Sequence, residues 1–307
     1  MIARILAFVA AVAMVFGAVV YRYGMPGGPG GAPDDSGGGT QTALVVCAAE
    51  LGAVCDAVPA AVVEPAVDTA DRLIAARNAG DAGVAGWLAP GPWPAMVDDA
   101  RTRTSRARLF ASKGTGLAAA PIVAVARRGQ LPAACTAEVT WKCLGDAAAQ
   151  TSYGIGGDRP DTSGGLLLRA AALSGFFGNA EWATNDLEDN ADAQTWIANL
   201  DARLAAAPGF GAPSLDDFLV KPGTVKVFVT VGAAAAGIGG NVSFEVRTPT
   251  PAATVAVSYT ASARGGRQID LEPVDTALRA AGWKVQRNAQ TEGLPSPGVL
   301  LALQRSS

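Results

Sequence analysis

The segment with the clearest potential for chemistry runs from Arg159 to Gly165 and leads into a predicted helix. The first turn of a helix leaves backbone N–H groups unpaired, and the helix dipole favours an anion or a carboxylate-bearing ligand at that end. The hydroxyls of Thr162 and Ser163 can donate two further hydrogen bonds, and Gly164 lets a ligand approach the backbone closely. The alternative is that Asp161 or Ser163 simply caps the helix, which stabilises it by about 1 kcal/mol and binds nothing.

A second candidate contact is Trp93, which lies in a turn rich in proline and glycine after a predicted strand. Its indole offers a flat apolar surface to a ligand. The alternative is that the ring packs in the protein interior, as most tryptophans do. The sequence leaves both interpretations open.

The four cysteines form two pairs with equal spacing, Cys47 with Cys55 and Cys135 with Cys143. A zinc site normally shows tighter paired spacing and often histidine, so the pattern favours two disulfides formed in an oxidising compartment. Each pair can close a small local loop, but four cysteines allow three connectivities. Four free buried thiols are the remaining alternative.

The composition excludes several classes of function. The chain has no histidine, which removes the usual base near neutral pH, the commonest metal ligand and the central member of a catalytic triad. The net charge is −3, from 24 basic and 27 acidic residues, with no long basic run that would neutralise a phosphate backbone. We therefore expect a protein that is not an enzyme, with no metal, no cofactor and no nucleic-acid partner.

Three further motifs have ordinary interpretations. The Gly-Ile-Gly-Gly segments at 154–157 and 237–240 lack the strand, spacing and acidic partner of a dinucleotide fingerprint and are predicted to be turns. The acidic run at 185–190 lacks the ligand spacing of a calcium loop and is predicted to be a solvated loop.

The N-terminus predicts export. Residues 1–23 contain an apolar run of the kind found in a signal peptide or a short membrane span, and they lack a small-residue cleavage site, which favours a retained anchor. Residues 24–41 are rich in glycine and predict a flexible linker. We expect a single-pass membrane protein with its folded domain extracellular, or a secreted protein if the N-terminal segment is cleaved.

From residue 42 onward, short apolar runs alternate with helical patterns, which predicts a mainly parallel α/β sheet with helices on both faces. The predicted strands cover 43–47, 61–64, 84–88, 121–126, 225–230, 254–259 and 298–303. The predicted helices cover 50–58, 69–79, 166–177, 191–205 and 274–281.

The order of several segments resembles the type-2 periplasmic solute-binding proteins, in particular actinobacterial relatives of the molybdate- and sulfate-binding group. The segments that carry the resemblance are LVVCAAELGAVC, VAGWLAPGPWPAMV, VTWKCLGDAA, RPDTSGGLLLRAAAL and VFVTVGAAAAGI. The resemblance implies two lobes, each a mainly parallel sheet flanked by helices, which close on a ligand in the cleft between them. Lobe 1 would comprise 42–118 and 231–307, and lobe 2 would comprise 119–230. The two crossovers would lie near Gly116 to Pro121 and near Val229 to Gly232.

The same resemblance implies positions for the site. It puts the turn that contains Asp161 and Ser163 in the cleft, makes Thr230 the last cleft contact and leaves Gly232 as a backbone donor. After the first strand, where relatives offer a hydroxyl, this chain has Ala48, Ala49 and Glu50, so a tight site for a bare oxyanion is not expected.

The implied function is capture of a small ligand, an anionic one included, for an ABC-type transporter or a membrane sensor. The alternative is an ectodomain of the same fold that binds no ligand and acts as a protein-interaction or assembly module.

Overall fold

The computed structural model describes residues 44–77, 81–110, 114–150, 153–160, 162–205, 215–220, 223, 225–238 and 240–306. The predicted anchor, linker and Asp161 lie outside these ranges. Within them, no helix combines the length and the apolar character needed to cross a bilayer.

The strands are β1 (Leu44–Ala48), β2 (Val62–Glu64), β3 (Val84–Pro90), β4 (Thr115–Arg127), β5 (Gly154–Gly157), β6 (Val225–Val231), β7 (Phe244–Arg247), β8 (Thr254–Ala261) and β9 (Lys284–Val285). The α-helices are α1 (Ala66–Ala75), α2 (Trp93–Arg103), α3 (Trp141–Ala148), α4 (Ser163–Phe177), α5 (Thr184–Glu188), α6 (Ala191–Ala205), α7 (Leu215–Val220), α8 (Leu271–Ala280) and α9 (Pro297–Arg305). Two 3-10 segments, Ala49–Ala57 and Ala133–Cys135, complete the described elements.

The long strand β4 joins two sheets. Its first part, Thr115–Pro121, pairs with β8 in a first sheet that also contains β1, β2, β3 and β9. Its second part, from Ile122 onward, pairs with β6 and β7 in a second sheet that also contains β5. Pro121 stands at the change of partner, where a residue without a backbone N–H is tolerated. One strand thus connects both halves of the fold directly.

The sheets are mixed, which corrects the prediction of mainly parallel sheets. β1 runs parallel to both β2 and β3, and β5 runs parallel to β6. The pairings of β4 with its neighbours and of β3 with β8 are antiparallel. The reason is topological: β4 carries the chain from the first sheet to the second and β8 follows its return, so these strands run in opposite directions.

The C-terminal segment 298–303 was predicted as a strand and is instead part of helix α9. Pro297 occupies the start of the helix, where a missing N–H costs nothing. The apolar run after it is buried as α9 packs against α2 and α4. A short apolar run of this kind fits a buried helix as well as a buried strand.

A buried arginine ties α9 to the second half of the fold. The guanidinium of Arg169, on α4, donates to the carbonyl of Leu303 at 3.3 Å and forms an ion pair with Asp201 of α6 at 3.0 Å. The Arg169 side chain is buried, so these contacts are shielded from solvent. The last helix therefore packs against α2, which contacts β3 of the first sheet, and against α4, which contacts β6 of the second.

Candidate functional site

Strands β1 and β3 end side by side at one edge of the first sheet. β1 and β3 are parallel neighbours, with Cys47 opposite Leu88. Glu50 follows the end of β1, and Trp93 begins α2 just after the end of β3. Carboxyl ends of parallel strands are where α/β folds usually place their binding sites.

The second sheet presents a comparable edge. β5 and β6 are parallel neighbours, with Gly157 opposite Val229. Asp158 and Thr230 therefore follow these paired residues at the same edge, and α4 begins nearby at Ser163.

The two edges meet at a hydrogen bond between Trp93 and Ser163. The indole Nε1 of Trp93 donates to the Ser163 hydroxyl oxygen at 2.8 Å. Trp93 is 0% exposed and Ser163 is 2% exposed, so the contact is dry. The Ser163 hydroxyl lies near the Glu50 carboxylate and lowers the pKa of that group.

The Glu50 carboxylate is held at the start of α1. Both of its oxygens lie 3.1 Å from the backbone nitrogen of Ala66, which donates to them at the start of α1. Glu50 as a residue is exposed, but its carboxylate lies against the protein, and this desolvation raises its pKa. The backbone hydrogen bonds and the nearby Ser163 hydroxyl act in the opposite direction, while the negative charge of Asp68 adds to the increase.

A second carboxylate, that of Asp158, lies against the first turn of α4. A Cβ atom added at Gly164 would come within 2.0 Å of Asp158 Oδ2, so the glycine is required for this approach. Burial is the main cause that raises the pKa of Asp158, and the charge of Glu50 raises it further. Among the described residues, neither Glu50 nor Asp158 forms an ion pair with an arginine or a lysine.

Thr162 is the residue that caps α4. Its hydroxyl oxygen accepts from the Gly165 N–H at 3.1 Å and donates to the Arg159 carbonyl at 2.7 Å. Ser163, one of the two residues considered as a cap from the sequence, instead accepts from the Trp93 indole. The capping interpretation therefore holds for this helix, but for a different residue.

The predicted contacts Thr230, on β6, and Gly232, just after it, are already buried or engaged. Thr230 is 8% exposed and lies opposite Val123 of β4. The Gly232 N–H donates to the Pro121 carbonyl at 2.7 Å. The structure thus brings Trp93 and Ser163 into contact, and gives the Gly232 amide a partner within the chain.

Sequence reasoning missed Glu50 and Asp158 as site residues. Glu50 was noted only because the segment lacks a hydroxyl. Asp158 was missed because 154–157 was predicted to be a turn, whereas it is strand β5. The signal that both residues share is an acidic side chain directly or almost directly after the carboxyl end of a parallel strand.

The disulfides Cys47–Cys55 and Cys135–Cys143 are both formed, which confirms the prediction of two disulfides and selects the local connectivity. The first of them closes the loop that carries Glu50. In the described part of the chain, no three acidic or cysteine side chains are grouped so that they could hold a metal ion.

A cavity of about 380 Å³ lies beside the Trp93 turn, between that turn and the segment 288–297. Its walls include Pro92 and Pro94, and its polar groups include those of Ser258 and Gln290. All of its lining residues are uncharged.

Comparison with solved structures gives the fold. HitA from Pseudomonas aeruginosa, solved with iron bound, is 12% identical with a TM-score of 0.52, covering 86% of this chain and 98% of that chain. The ferric binding protein from Campylobacter jejuni is 10% identical with a TM-score of 0.51, covering 86% and 96%. The chain therefore has the mixed α/β fold of two-lobed periplasmic binding proteins.

The comparisons do not identify a particular branch of the periplasmic binding proteins. No protein-family model matches the chain, and no curated protein matches it. The predicted relation to the molybdate- and sulfate-binding group is not confirmed.

Proposed function

We propose that the protein is an extracytoplasmic solute-binding protein that captures a small ligand between two lobes, for an ABC-type transporter or a membrane sensor. The observation that carries the proposal is the hydrogen bond between Trp93 and Ser163, which joins the carboxyl edges of the two sheets. A ligand that contacts both edges would stabilise the closed arrangement over an open one. The fold shared with periplasmic binding proteins supports the same function.

The two sheets are the proposed lobes. The first crossover runs through β4 at Pro121, where the strand changes partner. We place the second crossover between β7 and β8, at 248–253, because β7 pairs with the second-sheet part of β4. This boundary lies downstream of Val229 to Gly232, the position expected from the resemblance.

The two carboxylates near the interlobe contact limit the charge that a ligand can carry. A free anion held by Ser163 would have to approach Glu50, whose carboxylate lies near that hydroxyl, and Asp158, which lies against the same helix end. Like charges in a partly desolvated site repel strongly. We therefore propose a neutral or positively charged ligand rather than the anion considered from the sequence.

The proposed location outside the cytoplasm is supported by the two disulfides, since such bonds persist in oxidising compartments. Attachment to the membrane through residues 1–23 stays a prediction, because that segment lies outside the described residues.

The alternative function is that of an ectodomain that binds no ligand and acts as an interaction module. The observation that favours it is that the Trp93 indole and the Ser163 hydroxyl already serve as each other's hydrogen-bond partner. The two proposals differ in whether any solute stabilises the protein.

Thermal melts of the full chain against oxyanions, sugars, amino acids, amines and short peptides test the proposal. We expect one neutral or cationic class to raise the Tm in a saturable way, as mass action requires. The variant Ser163→Ala removes the hydroxyl that accepts from Trp93 at the contact and should weaken the shift, while its circular dichroism spectrum stays that of the wild type. If no class stabilises the wild type, the receptor function is wrong and the interaction module is supported.

A further inference from the structure

The cavity beside the Trp93 turn is distinct from the contact between Trp93 and Ser163. It lies between the start of α2, one face of the first sheet and the segment 288–297. Its lining residues all fall within 91–116 and 256–297, so none of them belongs to α4 or to β5, β6 or β7. Its volume of about 380 Å³ is within the usual range of small-molecule sites. The cavity therefore has room for a small molecule without any contribution from the second lobe.

Small residues of the first sheet form the floor of this cavity and let the segment 288–297 come close. A Cβ added at Gly91 would meet the Thr291 hydroxyl oxygen at 2.5 Å, and one added at Gly116 would collide with the backbone of Ala289. The Thr291 hydroxyl oxygen also accepts from the Ala256 N–H at 3.1 Å. This wall is thus fixed to the sheet by the chain itself, so the cavity is formed before a ligand arrives and little ordering is needed on binding.

Polar groups of the cavity have hydrogen-bonding capacity that the chain does not use. The side chains of Ser258, Asn288 and Gln290 line the walls and form no hydrogen bond with the described part of the chain. Thr260 lies on the same face of β8 as Ser258, and its fully buried hydroxyl has no partner among the described residues either. A Cβ added at the lining residue Gly114 would collide with that hydroxyl. Groups without partners thus occur both on the walls and at the floor.

The chemistry of the lining favours an uncharged ligand with several hydroxyl groups. No lining residue is charged, so an ion would lose hydration here without gaining a counter-charge. The serine hydroxyl and the two carboxamides both donate and accept hydrogen bonds, as the hydroxyls of a sugar do. Pro92, Pro94 and Leu294 add apolar surface for the C–H groups of a sugar ring.

We propose that this cavity is a second binding site, specific for a neutral sugar and built wholly within the first lobe. The inference goes beyond the proposed function, because it requires neither closure of the two lobes nor a ligand at Ser163.

Calorimetry of the full chain with glucose, mannose and sucrose tests the site. We expect at least one of these sugars to bind the wild type in a saturable way. Calorimetry is preferred to thermal melts because sugars at high concentration stabilise most proteins without binding a site.

A variant that fills the cavity locates the bound sugar. Ala95 is an exposed lining residue near the start of α2, so Ala95→Phe adds a ring there without disturbing the core. It should weaken sugar binding at least about tenfold. The matched control is Ala198→Phe, at an exposed position of α6 that does not line the cavity, and it should bind like the wild type.

Variants that remove single polar groups test the chemistry of the site. Ser258→Ala and Gln290→Ala should each weaken sugar binding by about fivefold, as expected for the loss of one hydrogen bond. Ser163→Ala should leave sugar binding unchanged, because α4 does not line the cavity. The same variant should weaken a ligand held between the lobes, so it separates this inference from the proposed function.

Three results would overturn the inference. They are the absence of saturable binding of all three sugars to the wild type, equal sugar affinity in the wild type and Ala95→Phe, and loss of sugar binding in Ser163→Ala. The last result would place the sugar between the lobes and would support the proposed function instead. Sugar binding that Ala95→Phe abolishes and Ser163→Ala leaves intact would support the second site, even if no solute bound between the lobes.

Discussion

The indole of Trp93 and the hydroxyl of Ser163 are 70 residues apart in the chain and form a buried hydrogen bond of 2.8 Å. Trp93 begins α2 beside the first sheet, and Ser163 begins α4 beside the second. Because both residues are almost fully buried, the bond is made in a low-dielectric environment where an unpaired partner would be costly. The relative position of the two helices therefore depends on this contact.

Replacement Trp93→Phe keeps an aromatic ring but removes the indole donor. We expect the free energy of unfolding to fall by about 1–3 kcal/mol, from the lost hydrogen bond and the space left by the smaller ring. Denaturant unfolding measures this loss. Because the bond joins the two lobes, X-ray scattering should also show a larger radius of gyration than that of the wild type.

Trp182 provides a matched control for that prediction. Its Nε1 donates to the Ser174 hydroxyl at 3.1 Å, the same pair of groups but within the second lobe. Trp182→Phe should lower the free energy of unfolding by a similar amount and leave the radius of gyration unchanged. Equal scattering curves for both variants would show that the Trp93 contact does not control the spacing of the lobes.

Replacement Asp158→Asn should change the pH dependence of stability. Burial and the charge of Glu50 raise the pKa of Asp158, so the native state binds its proton more tightly than the unfolded chain does. Stability from this group is thus present at low pH and falls as pH rises from the ordinary carboxyl range through the raised pKa. Asn keeps the shape and removes the charge, so the variant should become more stable than the wild type as pH rises.

The measurement is the free energy of unfolding at several pH values from 3 to 8, about the range in which carboxyl groups titrate. The difference between the variant and the wild type should be small at the acidic end and grow toward neutral pH. A difference that is constant across the whole range would mean that the charge of Asp158 is not the cause.

Replacement Arg101→Met tests a structural arginine away from the cleft. Arg101 is fully buried, and its guanidinium donates to the carbonyls of Leu73, Ala76 and Ala107 at 2.5–2.9 Å. Loss of these donors leaves the buried Leu73 carbonyl and the part-buried Ala76 carbonyl, at the C-terminal end of α1, without this partner, so we expect a loss of about 3 kcal/mol in the free energy of unfolding. Denaturant unfolding monitored by circular dichroism checks this value.

Arg106→Met is the control for Arg101→Met. Arg106 donates to the neighbouring carbonyls of Ile74 and Ala75, but it is exposed. Water can replace the donor there, so the loss should be below about 1 kcal/mol. Similar losses for both variants would contradict the claim that burial of Arg101 makes the difference.

The local sequence correctly predicted those elements in which every residue favours the same type of secondary structure. In the run Val225–Val231 a β-branched valine stands at every second position, as is typical of strands, and the run forms β6. By contrast, 154–157 consists of three glycines and one isoleucine, and it becomes β5 because its neighbours pack closely. A Cβ at Gly156 would meet Phe228 at 2.8 Å, and one at Gly157 would meet Leu168 at 2.9 Å. Contacts of this kind lie outside a local pattern.

In the candidate site, too, the local sequence predicted one part and distant contacts decided the rest. The turn before α4 was predicted as functional from its own residues, and Ser163 does lie where the two sheets meet. The partner of Ser163 is a distant residue: Thr162 caps α4, while the Ser163 hydroxyl accepts from Trp93. Glu50 in turn is placed by the start of α1, and nothing in the local sequence encodes that approach.

The two disulfides allow a comparison within one protein. Each joins cysteines eight residues apart, with Cα atoms at 5.6 Å for Cys47–Cys55 and 5.7 Å for Cys135–Cys143. Because the closed loops have the same length, replacing either pair by alanine should lower the free energy of unfolding by a similar amount, about 2–3 kcal/mol.

Only the Cys47–Cys55 loop carries Glu50, so the two double variants should differ at the start of α1, where the Ala66 N–H donates to the Glu50 carboxylate. Without Cys47 and Cys55 the segment gains freedom and the carboxylate leaves Ala66 more often, so hydrogen exchange of the Ala66 amide should become faster. Without Cys135 and Cys143 the loss of stability should appear without this change. Equal exchange rates of the Ala66 amide in the two variants would indicate that the first disulfide does not hold Glu50 at the start of α1.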